Sequence, residues 1–286
     1  MLYLDTRGRI SEADDYSFTK AIVEGIAPGG GLFVPQEVPH LTIDEICDLA
    51  ALPYAQRAAL IYERFGVDLP KERIRELMEA SYGDNFDDPA ICPIANVGDG
   101  MHVLELWHGP TSAFKDMALQ CLPQFFSAAI GELRKKGEAK EDILILVATS
   151  GDTGKAALEG FADREHISII VFFPAGGVSD MQRLQMVTQR GDNVGVWGVH
   201  GNFDDCQTNV KFAFNDVAFN ERLASEFNIK RSSANSINWG RLLPQVCYYV
   251  SAYACLVAQG SVAMGEPIDV CLPTGNCGTI LAAYYA

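Results

Sequence analysis

The chain has few basic residues and no CxxC motif, and these two features exclude some classes of function. It has 22 Lys and Arg against 37 Asp and Glu, for a formal net charge of -15. Phosphate backbones are bound by clustered Lys and Arg, so we expect no nucleic-acid partner. The 8 cysteines form no CxxC pair and the 5 histidines add no ligand cluster, so we expect no metal site.

Long apolar runs and a secretory leader are also missing. No apolar run reaches the roughly 20 residues that cross a bilayer, so we expect no membrane association. Scattered thiols without a leader are typical of a reduced, cytoplasmic protein. With 48% hydrophobic residues over 286 positions, the chain can build a large core, and its length predicts about two domains.

The first ninety or so residues are predicted to be mostly helical. Apolar periodicity indicates helices over residues 17–25, 54–65 and 70–82, the last with proline in its first turn. Thr42 and Glu45 have the spacing of a capping box and predict one more helix start. The polar, turn-rich stretch over residues 85–93 is the predicted boundary of this region.

Beyond that boundary the pattern changes to strand, glycine turn and helix. Apolar strands are predicted over residues 102–106, 143–148, 167–173, 194–199 and 267–272. Apolar strands that alternate with helices predict a parallel sheet covered on both faces, and in such sheets ligands bind at the carboxyl ends of the strands. We therefore expect the loops after these strands to converge on one crevice.

One of those loops contains Lys115, which follows the turn-forming pair Gly109-Pro110 and opens an apolar helical run. An isolated lysine is ordinarily a surface charge. A half-buried amine at a helix start lies in the positive field of the helix dipole, so we expect its pKa to be lowered. An amine that is free at neutral pH is what Schiff-base chemistry requires.

Three further segments could bind an anion. The glycine-rich loops over residues 150–155 and 274–279 each lie between a predicted strand and a helix, where backbone N–H groups favour phosphate, although each is also compatible with a plain turn. The first is not a nucleotide P-loop, because the spacing of its glycines and the residue after Lys155 do not fit. Asn235, Ser236 and Arg241 offer amide, hydroxyl and guanidinium donors, or else a helix cap and a surface arginine.

Taken in order, these segments resemble threonine synthase, a family of pyridoxal-phosphate enzymes with the fold of the tryptophan synthase β-subunit. The most specific matches are His108 to Asp116, which contains the lysine, and the Asn-Ser-x-Asn-x-x-Arg segment from Asn235 to Arg241. Other matching stretches cover residues 6–8, 30–35, 148–154, 201–205 and 273–278.

The resemblance implies an α/β fold of parallel sheets with helices on both faces, preceded by a mostly helical domain. It implies three domains: an N-terminal helical domain over 1–90, a large cofactor domain over 91–116 plus 236–286, and a small α/β domain over 117–235. The family extends beyond residue 286, so we expect the large domain to be incomplete, with exposed apolar surface and low activity.

The resemblance also implies residue roles. Lys115 would bind pyridoxal 5'-phosphate through a Schiff base and move protons. The cofactor phosphate would be bound by four consecutive residues, Gly275, Asn276, Cys277 and Gly278. Asp152 would lie beside the cofactor's 3-hydroxyl, where related enzymes often have asparagine. The substrate's phosphate or carboxylate would be bound by Ser150, Thr153, Asn235, Ser236 and Arg241.

The reaction so implied belongs to threonine biosynthesis: a lyase converts O-phospho-L-homoserine and water to L-threonine and phosphate. Two alternatives remain open. One is a threonine-synthase-like phospho-lyase that eliminates phosphate without making threonine, and the other is an inactive truncated binding module. Trp107 and Cys277 stand where the family is expected to have phenylalanine, and both changes are between apolar residues.

Overall fold

A computed structural model describes residues 1–9, 15–273 and 275–286. Its strands are β1 Tyr3–Asp5, β2 Phe33–Pro35, β3 Ile94–Gly98, β4 Met101–Leu104, β5 Asp142–Ala148, β6 Ile167–Pro174, β7 Val194–Val199 and β8 Ile229–Ser232. Its helices are α1 Phe18–Glu24, α2 Ile43–Ala50, α3 Tyr54–Arg64, α4 Lys71–Ser81, α5 Asp116–Leu119, α6 Leu122–Lys135, α7 Asp152–Phe161, α8 Asp180–Val187, α9 Phe203–Asn215, α10 Val217–Phe227, α11 Trp239–Ala258 and α12 Gly278–Tyr285. None of these helices is long and apolar enough to cross a membrane.

The N-terminal region is helical, as the sequence predicts. The Thr42 hydroxyl accepts from the backbone of Glu45, whose carboxylate accepts in return, so the predicted capping box of α2 is confirmed. Pro70 takes the N-cap position of α4 rather than its first turn. A short antiparallel pair, β1 with β2, places Tyr3 opposite Pro35.

Aromatic packing joins this region to the rest of the chain. The buried ring of Phe18 on α1 meets Phe125 on α6 edge-on, with centroids 6.1 Å apart. The Tyr3 ring lies 5.8 Å from Trp239, the first residue of α11. One continuous apolar core therefore includes residues from both regions, and the predicted division into three domains stays a prediction.

The central element is a four-stranded parallel sheet in the order β7-β6-β5-β8. Successive residues of β5 point to opposite faces: Ile143, Ile145 and Val147 enter the main core, whereas Leu144 and Leu146 pack with Cys206 of α9. Because both faces of β5 are buried, its sequence is apolar without alternation. The predicted α/β fold with helices on both faces of a parallel sheet is confirmed.

Two strand predictions need correction. The strand predicted over residues 102–106 forms as β4, but it pairs antiparallel with β3 in a separate hairpin. The strand predicted over residues 267–272 is wrong, since this stretch has no regular secondary structure. A strand requires a hydrogen-bonded neighbour, and no described strand is paired with this stretch, in which Ile268 and Val270 are exposed. Its apolar composition alone therefore could not make it a strand.

The core position of β5 gives a stability prediction. Ile145 is fully buried at the centre of the sheet, so Ile145→Ala should lower the free energy of unfolding by about 2–5 kcal/mol. Ile145→Val removes one methyl group and should cost about 0.5–1.5 kcal/mol. Urea unfolding followed by circular dichroism measures both; equal costs for the two variants would contradict close packing at this position.

Candidate active site

The loop that carries Lys115 is folded around a buried carboxylate. Asp116 is fully buried and accepts hydrogen bonds from the backbone N–H of Thr111 at 2.8 Å and from its hydroxyl at 2.7 Å. A side chain at Gly109 would lie 2.5 Å from the Asp116 Cβ, so only glycine fits there. These contacts fix the chain on both sides of the lysine, which takes the N-cap position of α5.

A histidine ties the start of this loop to a second segment. The Nδ1 atom of His108 lies 2.6 Å from Asp87 Oδ1, and its Nε2 atom lies 2.9 Å from Glu105 Oε2. The backbone N–H of Asp87 also donates to the His108 carbonyl at 2.9 Å. Since both ring nitrogens face carboxylates, these contacts favour the protonated form of the ring.

The Lys115 side chain is 22% exposed, and its Nζ lies 3.9 Å from Asp152 Oδ2 and 4.5 Å from the centre of the Phe114 ring. Its pKa is lowered, mainly by burial and also by the charge of Arg241, while Asp152 and Asp116 oppose the shift. The predicted lowering is confirmed. Burial is the main cause and the charge of Arg241 adds to it, whereas the sequence prediction combined partial burial with the helix dipole.

Asp152 is placed by the turn that follows β5. The buried Thr149 hydroxyl donates to the Gly151 carbonyl at 2.9 Å and accepts from the N–H groups of Gly151 and Gly154 at 3.1 and 3.0 Å. This network starts α7 at Asp152, with Ser150 exposed before it and Thr153 half-buried after it. The carboxyl end of β5 thus delivers Asp152 to Lys115, as expected for a parallel sheet.

Arg241 lies in the first turn of α11, which Asn238 begins. The Asn238 side chain accepts from the Gly240 N–H and donates to the carbonyls of Ile22 and Ser233, all at 2.8 Å. Arg241 is buried; one of its terminal nitrogens donates to the Ala234 carbonyl at 2.7 Å, and its Nε has no partner among the described residues. Burial lowers the pKa of the Arg241 guanidinium to about 10.

No carboxylate among the described residues forms an ion pair with Arg241. A buried cation without an anionic partner is costly, and a helix start adds to that cost because it is itself positive. The neighbouring Asn235 and Ser236 side chains are half-buried. This end of α11 therefore has the chemistry of an anion site.

The predicted phosphate loop lies close to Ser236. Gly278 begins α12, and a Cβ on it would lie 3.1 Å from the Ser236 Cβ. Gly275, Asn276 and Cys277 are exposed, and no hydrogen bond or ion pair in the described part of the chain joins them to Lys115. Thr274, part of the loop singled out in the sequence, lies outside the described residues.

Hydrogen bonds between α11 and α12 connect the two anion-site candidates. The Thr279 hydroxyl lies 2.8 Å from the hydroxyls of both Tyr248 and Tyr249. Tyr248 also donates to Gln245, whose amide donates to the Arg241 carbonyl. Sequence reasoning missed Gln245, Tyr248 and Tyr249. Gln245 lies four residues after Arg241, and the two tyrosines lie three and four residues after Gln245, a spacing that indicates one helix face.

Gln182 is a further residue that the sequence did not indicate. It lies on α8, and its Nε2 donates to Asp152 Oδ1 at 2.7 Å. Within the described residues no group of three or more acidic, histidine or cysteine side chains could hold a metal ion. The site therefore combines a partly desolvated amine, a carboxylate held by an amide, and a buried guanidinium.

Comparison with known proteins gives matches to threonine synthases and to a threonine synthase-like protein. Residues 2–82 match the family model described as the threonine synthase N terminus. Human threonine synthase-like 1 is 46% identical over 94% of this chain and 36% of that protein. The threonine synthases of Schizosaccharomyces pombe and Pseudomonas aeruginosa are 39% and 37% identical, over 99% and 100% of this chain and 54% and 57% of theirs.

Solved structures agree. The PLP-bound threonine synthase from Brucella melitensis superposes with a TM-score of 0.84 at 38% identity, over 99% of this chain and 57% of that one. Yeast threonine synthase superposes with a TM-score of 0.85 at 33% identity, over 99% and 55%. The chain thus spans about a third of the length of the first relative and rather more than half of the threonine synthases.

The His108 contacts predict a pH dependence. Hydrogen bonds to Glu105 first, and then to Asp87, raise the pKa of His108. Since the folded value lies above the unfolded one, this contribution to stability is complete below the unfolded pKa and is lost as pH rises through the folded pKa. Titration of the ring protons by NMR should show the raised pKa, and Glu105→Gln should bring it back towards the ordinary value. An unchanged His108 pKa in that variant would mean that Glu105 does not hold the ring.

The burial of Arg241 predicts that a bound anion stabilises the fold. In Arg241→Met the lost hydrogen bond to Ala234 is offset by the removal of a buried charge, so the free energy of unfolding should change by less than about 1 kcal/mol. Inorganic phosphate should raise the melting temperature of the unmodified chain and not that of the variant.

A matched control is Arg231→Met, which removes a half-buried guanidinium that donates to Asn220 and lies 4.8 Å from the centre of the Phe214 ring. This variant should keep the phosphate response. If Arg241→Met keeps the response as well, Arg241 is not part of an anion site.

Proposed function

Because the chain belongs to the threonine synthase family, we propose that it is a pyridoxal-phosphate lyase which converts O-phospho-L-homoserine and water to L-threonine and phosphate. The observation that carries this proposal is the environment of the Lys115 amine. It is partly desolvated, has a lowered pKa, and lies within the electrostatic reach of a buried arginine. A lowered pKa increases the fraction of the amine that is unprotonated and can act as a nucleophile.

The residues present fit the cofactor. Lys115 would bond its aldehyde carbon, and the loop from Gly275 to Gly278 at the start of α12 would bind its phosphate, because N–H groups and the helix dipole favour an anion there. The space at Gly275 is open. When bound, the cofactor ring supplies an electron sink for the carbanions that the reaction requires.

Lys115 and Asp152 would divide the proton chemistry. The Lys115 amine would take protons from the substrate carbons. Asp152 would lie beside the cofactor's 3-hydroxyl and share a proton with it. The separation of 3.9 Å between Lys115 Nζ and Asp152 Oδ2 supports this arrangement.

Arg241 would bind the substrate phosphate or carboxylate, together with Asn235 and Ser236. The Arg241 guanidinium is buried and its Nε has no partner in the described part of the chain, which suits the planar, bidentate recognition of such a group. Ser150 and Thr153 would contact the same ligand from either side of Asp152. The phosphate would then leave the substrate while hydrogen-bond donors with fixed positions bind it.

One observation favours a second candidate, a threonine-synthase-like phospho-lyase that releases phosphate without making threonine. Identity to threonine synthase-like 1 from human, at 46%, exceeds the 39% and 37% found for the two threonine synthases above. Product analysis separates the candidates, since threonine is expected from one and a keto acid with ammonia from the other.

A cytoplasmic location is part of the proposal. All 8 cysteines are free thiols in the structure, and 4 of them are buried. Reduced cysteines are typical of compartments with a glutathione pool.

Borohydride trapping tests the central bond. The chain is incubated with pyridoxal phosphate, reduced, digested and analysed by mass spectrometry, and the pyridoxyl group should be found on Lys115. Lys115→Arg keeps the positive charge but cannot form the bond, so it should carry no tag in this segment. A tag on another lysine, or none, would overturn the proposed chemistry, and the second outcome would favour a binding module without catalysis.

A further inference from the structure

The capping box at the start of α8 has a side chain that does more than cap. The Ser179 hydroxyl accepts from the Gln182 N–H, and Gln182 Oε1 accepts from the Ser179 N–H, both at 3.2 Å. The remaining end of the amide, Nε2, donates to Asp152 Oδ1 at 2.7 Å. Because the oxygen of this amide is already bonded to an N–H, only its NH₂ group is free to face Asp152.

The local sequence allows this approach. A Cβ on Gly151 would lie 2.5 Å from Gln182 Nε2 and 2.8 Å from its Cδ. Any larger residue at position 151 would therefore push the amide away from Asp152. The glycine before Asp152 and the glutamine on α8 fit together.

The residue type at position 182 is informative. Capping boxes use Glu as readily as Gln, and the box of α2 in this chain uses Glu45. A carboxylate at position 182 would face the Asp152 carboxylate at hydrogen-bond distance, where like charges repel. A glutamine gives the same cap and adds a donor for Asp152.

We infer that Gln182 is a positioning residue for the site, which holds one oxygen of Asp152 so that the other faces Lys115. This inference rests on the proposed function, in which Lys115 carries the cofactor. Asp152 Oδ1 bonds to Gln182, and its Oδ2 lies 3.9 Å from Lys115 Nζ. Gln182 acts through Asp152, since the described contacts join its side chain to Ser179 and Asp152 and not to the lysine.

The charges around Lys115 determine whether its pKa rises or falls when Asp152 moves. Burial and Arg241 of α11 lower the pKa of Lys115, whereas Asp152 of α7 and Asp116 of α5 raise it. If the Asp152 carboxylate moves away from Lys115, it raises the pKa of Lys115 less, and that pKa falls. More of the amine is then free at neutral pH.

The test uses the cofactor-free chain and measures how fast Lys115 is acetylated by acetic anhydride between pH 6 and 10, by mass spectrometry of the Lys115 peptide. Asp152→Asn should speed the labelling at pH 7 by about three- to tenfold, because a carboxylate 3.9 Å from the amine is lost. Gln182→Met should change it in the same direction by a smaller factor. The variant with both changes should match Asp152→Asn alone, because Gln182 acts through Asp152.

Ser179→Ala is the matched control, since it removes the hydroxyl cap of α8 but keeps the backbone N–H that orients the amide. It should lower the melting temperature and leave the labelling of Lys115 unchanged. Gln182→Leu provides a second apolar replacement if Gln182→Met does not fold. Unchanged labelling in the folded Gln182 variant, or effects of the two changes that multiply, would overturn the inference.

No cofactor is used in this experiment, so its outcome is separate from borohydride trapping. If trapping fails while the labelling pattern holds, Gln182 still positions Asp152 and the proposed chemistry is wrong. If trapping succeeds while Gln182→Met labels like the unmodified chain, the chemistry stands and the positioning role is wrong.

Discussion

The withdrawal of two cations from water is the constraint on which the rest of this site depends. Arg241 is buried and Lys115 is largely so, and the charge of Arg241 lowers the pKa of Lys115. A buried cation is retained only where a partner compensates its lost hydration. Asp152 offers Lys115 one carboxylate at 3.9 Å, and Arg241 has a backbone carbonyl. The charge left uncompensated attracts an anion to a chain whose formal net charge is -15.

The fold supplies further positive potential at the same place. Asp152 lies at the start of α7 and Arg241 in the first turn of α11, so two helix N-termini contribute to the field around Lys115. Short turns fix both starts: the Thr149 hydroxyl binds the N–H groups that begin α7, and the Asn238 side chain caps α11. Because the sheet is parallel, β5 and β8 end at the same edge, and the turns after them position Asp152 and Arg241.

Local patterns predicted the parts of this arrangement that depend on neighbouring residues. The capping box at Thr42, the strand buried on both faces around Ile145 and the helix start after Lys115 follow from residue types within a few positions. Features set by distant contacts were not predictable in this way. The pairing of β4 with β3, the absence of a strand over residues 267–272 and the reach of Gln182 to Asp152 each depend on which segments meet in space.

The N-terminal region supports the first turn of α11 through a backbone carbonyl and aromatic packing. The Asn238 amide donates to the Ile22 carbonyl of α1, and the Trp239 ring packs 5.8 Å from Tyr3 and 5.9 Å from Phe65. These contacts hold the first turn of α11, and Arg241 lies in that turn. A displacement of about 1 Å is enough to weaken recognition of a bound group. Residues 2–82, which match the N-terminal family model, therefore help to fix the position of Arg241 through Asn238 and Trp239.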